Sequence, residues 1–236
     1  MNTINVTAEL AARLPLRGAL LDLDGVLVDT ARLHFEGWQQ VAAKLGFSLD
    51  PATDDLLKGV SRDEALQIVV RMGGMELAAD QRTEMSDWKN AWYQEQVDLL
   101  DATALLAGAA DLLKRLRARR IPLALASSSR NAERILQSVG IADYFDAVVD
   151  AAALRHTKPD PEIFLRAAQA IGVPARACLV IEDSLAGIDG AHRAGCLAVG
   201  VGDRDVLAHA DLVVASLTDM PLDVVFGPYP ADVRRD

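Results

Sequence analysis

The sequence predicts an α/β protein, a doubly wound and mostly parallel sheet with an inserted α-helical domain. Three observations lead there. Short apolar runs ending in Asp, Ser or Gly recur along the chain, as buried strands do. Helical patterns separate most of them, which is the alternation of a parallel sheet covered on both faces. Residues 31–100 interrupt that alternation with helical periodicity and no convincing strand.

In chain order, the run from Gly18 to Val28 is the first strand-like segment. Trp38, Val41, Ala42 and Leu45 then fall at i, i+3, i+4 and i+7, a helical stripe that Gly46 ends. Ser61 and Glu64 stand at capping-box spacing before a second stripe, Ala65, Ile68, Val69 and Met72, closed by Gly73 and Gly74. Beyond residue 100, helices are predicted at about 107–119, 130–139, 159–171 and 184–194. Strands are predicted in IPLALASSS, FDAVVDA, ACLVIEDS, LAVGVG and DLVVAS. The expected division is a Rossmann-like core from residues 1–30 and 101–236, with a helical cap domain over residues 31–100. The Pro-rich tail from Gly227 is expected to fray.

Composition narrows the function. Of 236 residues, 51% are hydrophobic and 25% charged, enough apolar surface for a true core. A net charge of -10 argues against a nucleic-acid partner, because phosphates are bound chiefly by Lys and Arg. Glu9, Arg13 and Arg17 interrupt the opening segment, and no stretch has the length and apolarity to span a bilayer. A cytoplasmic protein without a membrane partner is expected. Cys178 and Cys196 lie beside strand-like residues and read as buried thiols rather than a disulfide framework.

The chemistry gathers where strands end. Asp22 and Asp24 project to one side of the first strand's carboxyl end, with Gly25 turning the chain away, and open α/β sheets bind ligands there. Two carboxylates so close either raise one pKa or demand a cation. Glu182 and Asp183 end another apolar strand; with Asp22 and a backbone carbonyl they offer an oxygen-rich set suited to Mg²⁺ rather than zinc. The alternative makes Asp183-Ser184 a helix cap and Asp22 a turn residue. Ser127, Ser128 and Ser129 follow a third strand, where hydroxyls and amides hold phosphoryl oxygens or cap a helix. Lys158 precedes Pro159, a helix-start residue, and a cation is disfavoured at that end of a helix. Either an anion compensates it or the lysine is solvated. Arg62 lies in the first turn of a predicted helix, where its guanidinium and the backbone amides can share one phosphate.

DLDGVLVDT, the serine at the end of LALASSS, the Lys of TKPDPEIF and the acidic pair of IEDSLAGI occur in that order. Together they resemble the haloacid dehalogenase-like phosphotransferase superfamily over residues 18–202. The resemblance implies a doubly wound core with a mobile helical cap, Asp22 as a nucleophile forming an aspartyl-phosphate, and Asp24 as general acid/base. It also implies Ser127 and Lys158 as phosphoryl ligands, and one Mg²⁺ held by Asp22, the Asp24 carbonyl, Glu182 and Asp183. Asp22, intrinsically ionised at neutral pH, then needs no base to activate it.

Within that superfamily, LHFEGW, LKGVSRDEAL, WKNAWY, ALASSSRN and TKPDPEIF resemble the β-phosphoglucomutase group. The narrower resemblance implies Arg62 on the phosphate not being transferred, with Lys89 and Asn131 nearby. His34, Trp38, Lys58, Gly59, Val60 and Ser129 would contact the sugar or couple cap closure to Asp24, and Thr30 would sit at the hinge. Ser128, in the same substrate loop, and Arg130 replace the small apolar residue and Lys of the better-known pattern. Trp88 and Trp92 read as packing within the cap.

The expected activity is therefore conversion of β-D-glucose 1-phosphate to D-glucose 6-phosphate through β-D-glucose 1,6-bisphosphate, with a trace of the bisphosphate priming Asp22. The alternative is a Mg²⁺-dependent sugar-phosphate phosphatase, in which water accepts the phosphoryl group. A non-catalytic phosphosugar-binding module would leave Asp22 and Asp24 unexplained, since anionic side chains weaken simple phosphate binding. The expected partner is a small phosphorylated sugar, and the expected state a monomer.

Overall fold

The computed structural model describes residues 12–57 and 62–228. Its elements in chain order are β1 (Gly18–Leu21), α1 (Ala31–Lys44), α2 (Arg62–Met72), α3 (Ala79–Asp98), α4 (Ala109–Ala118), β2 (Leu123–Ala126), α5 (Ala132–Ser138), β3 (Ala147–Val149), α6 (Glu162–Ala170), β4 (Cys178–Glu182), α7 (Leu185–Arg193), β5 (Leu197–Val201), β6 (Leu212–Val214) and α8 (Leu222–Phe226). Contacts divide the chain into two compact units, Met1–Asp29 with Asp101–Asp236, and Thr30–Leu100.

In the first unit, six strands pair in parallel in the order β3-β2-β1-β4-β5-β6, a Rossmann-like sheet. The central strands are apolar throughout because both faces are buried. Leu20, Ala124, Ala126, Val180 and Ala198 pack with Ile163, Phe164 and Ala167 of α6 and Ile188 and Ala191 of α7. The alternate residues Leu21, Leu123, Leu125, Ile181 and Val199 point the other way and are equally buried, as are Leu112, Leu113 and Leu116 of α4. Each such side chain contributes about 1.5–3 kcal/mol on leaving water.

Register positions the chemistry. Leu21 pairs with Leu125 on one side and Ile181 on the other, so Asp22 emerges level with Glu182, and Ser127 one residue beyond. β1 and β4 flank the point where strand order reverses, the usual binding crevice of such sheets.

The expected first strand is too long. It stops at Leu21, and the run Leu23–Val28 curls back: Leu27 and Val28 both donate to the Leu23 carbonyl, and Gly25 adopts φ +80°. Leu23, Val26, Leu27 and Val28 are apolar because they are buried within that turn. Cys178 and Cys196 are buried free thiols, as expected, with burial pushing them up to about 11 and about 12.

The Thr30–Leu100 unit packs α1, α2 and α3 around Trp38, Val41, Ala42, Leu49, Ala65, Leu66, Val69, Val70 and Met85. The stripe expected on α1 is found at Trp38, Val41 and Ala42, while Leu45 is the C-cap and partly buried, and Gly46 turns the chain at φ +91°. On α2 the buried set is Ala65, Leu66, Val69 and Val70, while Ile68 is partly buried and Met72 exposed. Both sets fit a 3.6-residue period; packing against its neighbours rolls the helix toward Leu66 and Val70. Ser61 of the expected capping box and most of the Pro-rich tail lie outside the described residues. Trp88 packs against this core, with Lys44 over its ring at 5.0 Å. Among the described residues, no helix is long and apolar enough to cross a membrane.

Candidate active site

The α/β unit brings Asp22, Glu182 and Asp183 together, their carboxylate oxygens lying within 4.8 Å of one another. Asp22, just past β1, and Glu182, the last residue of β4, are 6% and 1% exposed. Lys158 Nζ donates to Asp22 Oδ1 at 2.5 Å and also to Glu182 Oε1. Glu182 Oε2 accepts from the backbone N–H of Asp183 and of Ser184, both at 3.0 Å, and from the Ser184 hydroxyl at 2.9 Å. Gly25 permits the crowding, since a Cβ there would lie 1.9 Å from Asp183 Oδ2.

The electrostatics follow from this crowding. Burial pushes the Asp22 carboxyl well above the usual range; Lys158 pulls it back, and Glu182, Asp24 and Asp183 push it further. Ionisation of Asp22 is thus set by its neighbours and is not the intrinsic property expected from the free side chain. Burial, then the Glu182 charge, pushes Asp183 up to about 7, although the residue keeps a solvent-exposed face. Burial disfavours the Lys158 ammonium, but Asp22 and Glu182 outweigh it and raise its pKa. Three carboxylates against one ammonium leave excess negative charge on hard oxygen donors, so the residues fit a divalent cation such as Mg²⁺.

Two sequence expectations change. The helix after Lys158 begins at Glu162 with Pro161 in the N-cap position, so Lys158 does not sit at a helix start. Its compensating anions are Asp22 and Glu182. The helix-cap alternative holds for Ser184, the N-cap of α7, whose hydroxyl accepts from Gly187 N; Asp183 belongs to the carboxylate cluster.

After β2, Ser127 is fully buried, and its Oγ accepts from Ser129 N at 3.1 Å. Ser129 Oγ in turn accepts from Asn131 N at 3.2 Å. Asn131 is buried at the start of α5 without capping it, whereas Ser128 and Arg130 are exposed. Asp24 is half-buried, and its charge acts on both Asp22 and Asp183.

The helical unit gathers a second cluster, of opposite character. The buried stripe of α3 is Met85, Lys89, Tyr93 and Val97, a lysine among apolar residues. Lys89 Nζ lies 3.0 Å from His34 Nδ1, 5.1 Å from the Trp38 ring centroid and 4.7 Å from that of Tyr93. His34 stacks on Tyr93 at 4.4 Å. Burial, then the charges of Lys89 and Arg62, lowers the His34 pKa to about 3, so the ring is neutral and Nδ1 accepts from the ammonium. Arg62 Nη2 donates to Asn90 Oδ1 at 2.8 Å. Gly37 lets α1 and α3 approach, since a Cβ there would lie 2.9 Å from Lys89 Cε and 3.2 Å from the Trp92 ring.

Sequence reasoning missed Gly37, Asn90, Tyr93, Ser184 and Gly187 as supports of these clusters. Tyr93 and Asn90 carried a signal, standing four and one residues after Lys89. Lys58, Gly59 and Val60 lie outside the described residues.

Residues 16–195 match the family model described as haloacid dehalogenase-like hydrolase. The chain belongs to that family. It is 40% identical to a β-phosphoglucomutase of Bacillus subtilis over 89% of this chain and 94% of that one. A fructose-1-phosphate phosphatase of Escherichia coli is 32% identical over 78% of this chain and 95% of that one. Among solved structures, a β-phosphoglucomutase from Clostridium difficile superposes with TM-score 0.81 at 35% identity, covering 88% of this chain and 94% of the other. The family's Rossmann-like core corresponds to the six-stranded sheet, with β1 and β4 delivering the acidic residues.

Proposed function

We propose that the protein is a phosphomutase acting on β-D-glucose 1-phosphate, yielding D-glucose 6-phosphate through β-D-glucose 1,6-bisphosphate. The observation that carries this reading is the second cationic cluster, Arg62 with Asn90 and Lys89 with His34. A bisphosphate intermediate needs a group for the phosphate not being transferred. A monophosphate hydrolase does not.

In this scheme Asp22 attacks phosphorus and carries the phosphoryl group as an aspartyl-phosphate. Asp24 protonates the departing sugar oxygen and later takes the proton from the accepting hydroxyl. Lys158 favours the ionised form of Asp22 against burial and the neighbouring carboxylates, and neutralises negative charge on the phosphoryl oxygens, with Ser127 and the amides after β2 as further donors. Arg62 binds the other phosphate, with Lys89, Asn131 and Ser128 as further substrate contacts. His34, Trp38 and Ser129 are assigned to the sugar. Asp22, the Asp24 carbonyl, Glu182 and Asp183 are assigned to one Mg²⁺, which when bound offsets charge on the transferring group.

A second reading, sugar-phosphate phosphatase, is favoured by the 32% identity to the fructose-1-phosphate phosphatase and uses the same core residues. One incubation separates them: Mg²⁺, β-glucose 1-phosphate and trace glucose 1,6-bisphosphate, followed by phosphorus NMR. Glucose 6-phosphate as the main product is expected; inorganic phosphate as the main product rejects the mutase.

A further inference from the structure

We infer that Ser184 is a positioning residue for the phosphoryl-transfer site, its hydroxyl seating the Glu182 carboxylate and, through it, Lys158. The inference rests on the reading of Asp22 as phosphoryl acceptor, while its geometry belongs to the α/β unit alone.

A carboxylate as buried as that of Glu182 must have its lone pairs satisfied. Oε1 is given to Lys158; Oε2 takes two backbone N–H groups and the Ser184 hydroxyl. A hydroxyl has one proton and two lone pairs. Ser184 Oγ accepts from Gly187 N at 3.1 Å as the N-cap of α7, which leaves its proton to point at Glu182. One atom therefore caps the helix and holds the carboxylate. Gly187 completes the seat: a Cβ there would lie 1.9 Å from the Glu182 carboxyl carbon and 2.0 and 2.3 Å from its oxygens. The first turn of α7 can close on Glu182 because residue 187 has no side chain. A carboxylate that swung out of this seat would take away one of the two anchors that aim Lys158 at Asp22.

Capping and positioning separate by substitution. Glycine is nearly as good an N-cap as serine but has no hydroxyl, and threonine keeps both functions. Ser184→Gly is expected to stay folded, its thermal midpoint lowered by only a few degrees for the lost hydrogen bond to a buried carboxylate, while weakening Mg²⁺ binding, measured by calorimetry, by about ten- to a hundredfold, the usual cost of losing an outer support of a metal site. It should also broaden or shift the ¹H–¹⁵N signal of the Lys158 ammonium and lower kcat without raising KM. Ser184→Thr should restore all three. Gly187→Ala, which favours a helix, is expected to impair the same readouts by displacing Glu182. Parent-like Mg²⁺ affinity and Lys158 signal in Ser184→Gly would overturn the inference, as would Ser184→Thr failing alongside it. If the parent never phosphorylates Asp22, that reading fails by itself; the calorimetry and the Lys158 signal still decide the role of Ser184.

Discussion

Each unit of the chain buries a lysine, and the two keep opposite company. Lys158 is pinned between the carboxylates of Asp22 and Glu182, where its charge offsets part of an acidic excess. Lys89 rests against a neutral histidine and the faces of Trp38 and Tyr93, and its field, with that of Arg62, adds to the burial that drives the His34 pKa down. The α/β unit thus offers a site short of positive charge, suited to a metal and a nucleophile. The helical unit offers positive charge, suited to an anionic group on a substrate. A mutase has use for both.

The comparison breaks most severely at Asp22. Asp22→Asn is expected to abolish phosphoryl transfer, a loss on the order of 10⁴-fold or more, as for other covalent nucleophiles. Retention of phosphoenzyme in that variant, read by mass spectrometry, would sink the scheme. Lys158→Met leaves two buried carboxylates facing each other without their ammonium and should cost about 3–5 kcal/mol of stability in urea unfolding. A loss below about 1 kcal/mol would mean that water or another cation replaces Lys158.

Titration sharpens the contrast further. Asp183 is raised to about 7, so protons compete with a divalent cation below that pH. Mg²⁺ affinity should fall as the pH drops from 8 to 6, and affinity flat across that range would contradict a raised Asp183 carboxyl. His34 behaves oppositely, with a folded pKa of about 3 below the unfolded value. Between those values the unfolded chain binds more protons, so the His34 contribution to stability is lost as pH falls below about 6.5. Lys89→Met keeps an apolar stem while removing one cause of the depression, and should lessen this acid-side loss in urea melts compared between pH 7 and pH 4. An unchanged slope would show that burial alone holds His34 neutral.

The sheet was largely legible, because strands buried on both faces announce themselves as apolar runs with acidic or hydroxylic ends. Asp22, Glu182 and Asp183 were legible for the same reason: parallel register brings strand ends to one rim. The turn Leu23–Val28 was not, since a buried loop is as apolar as a strand and only the Gly25 backbone angle distinguishes it. Nor was the ion pair of Lys158 with Glu182: that Lys158 offsets Asp22 could be read, but which further carboxylate its ammonium reaches depends on the placement of β4. Supports such as Gly37 and Gly187 were hidden because an absent side chain has meaning only once its neighbours are placed.

The division of labour between the two lysine clusters is tested most directly by comparing two reactions in one variant, Arg62→Ala. With Mg²⁺ and acetyl phosphate as a minimal donor, the variant should phosphorylate Asp22 at the parent's rate, because that donor has no second phosphate. With β-glucose 1-phosphate and trace bisphosphate, its mutase flux should fall by about a hundredfold or more, the scale of a lost charge-assisted phosphate contact. Equal losses in both reactions, or equal retention, would contradict the assignment of transfer to one cluster and phosphate holding to the other.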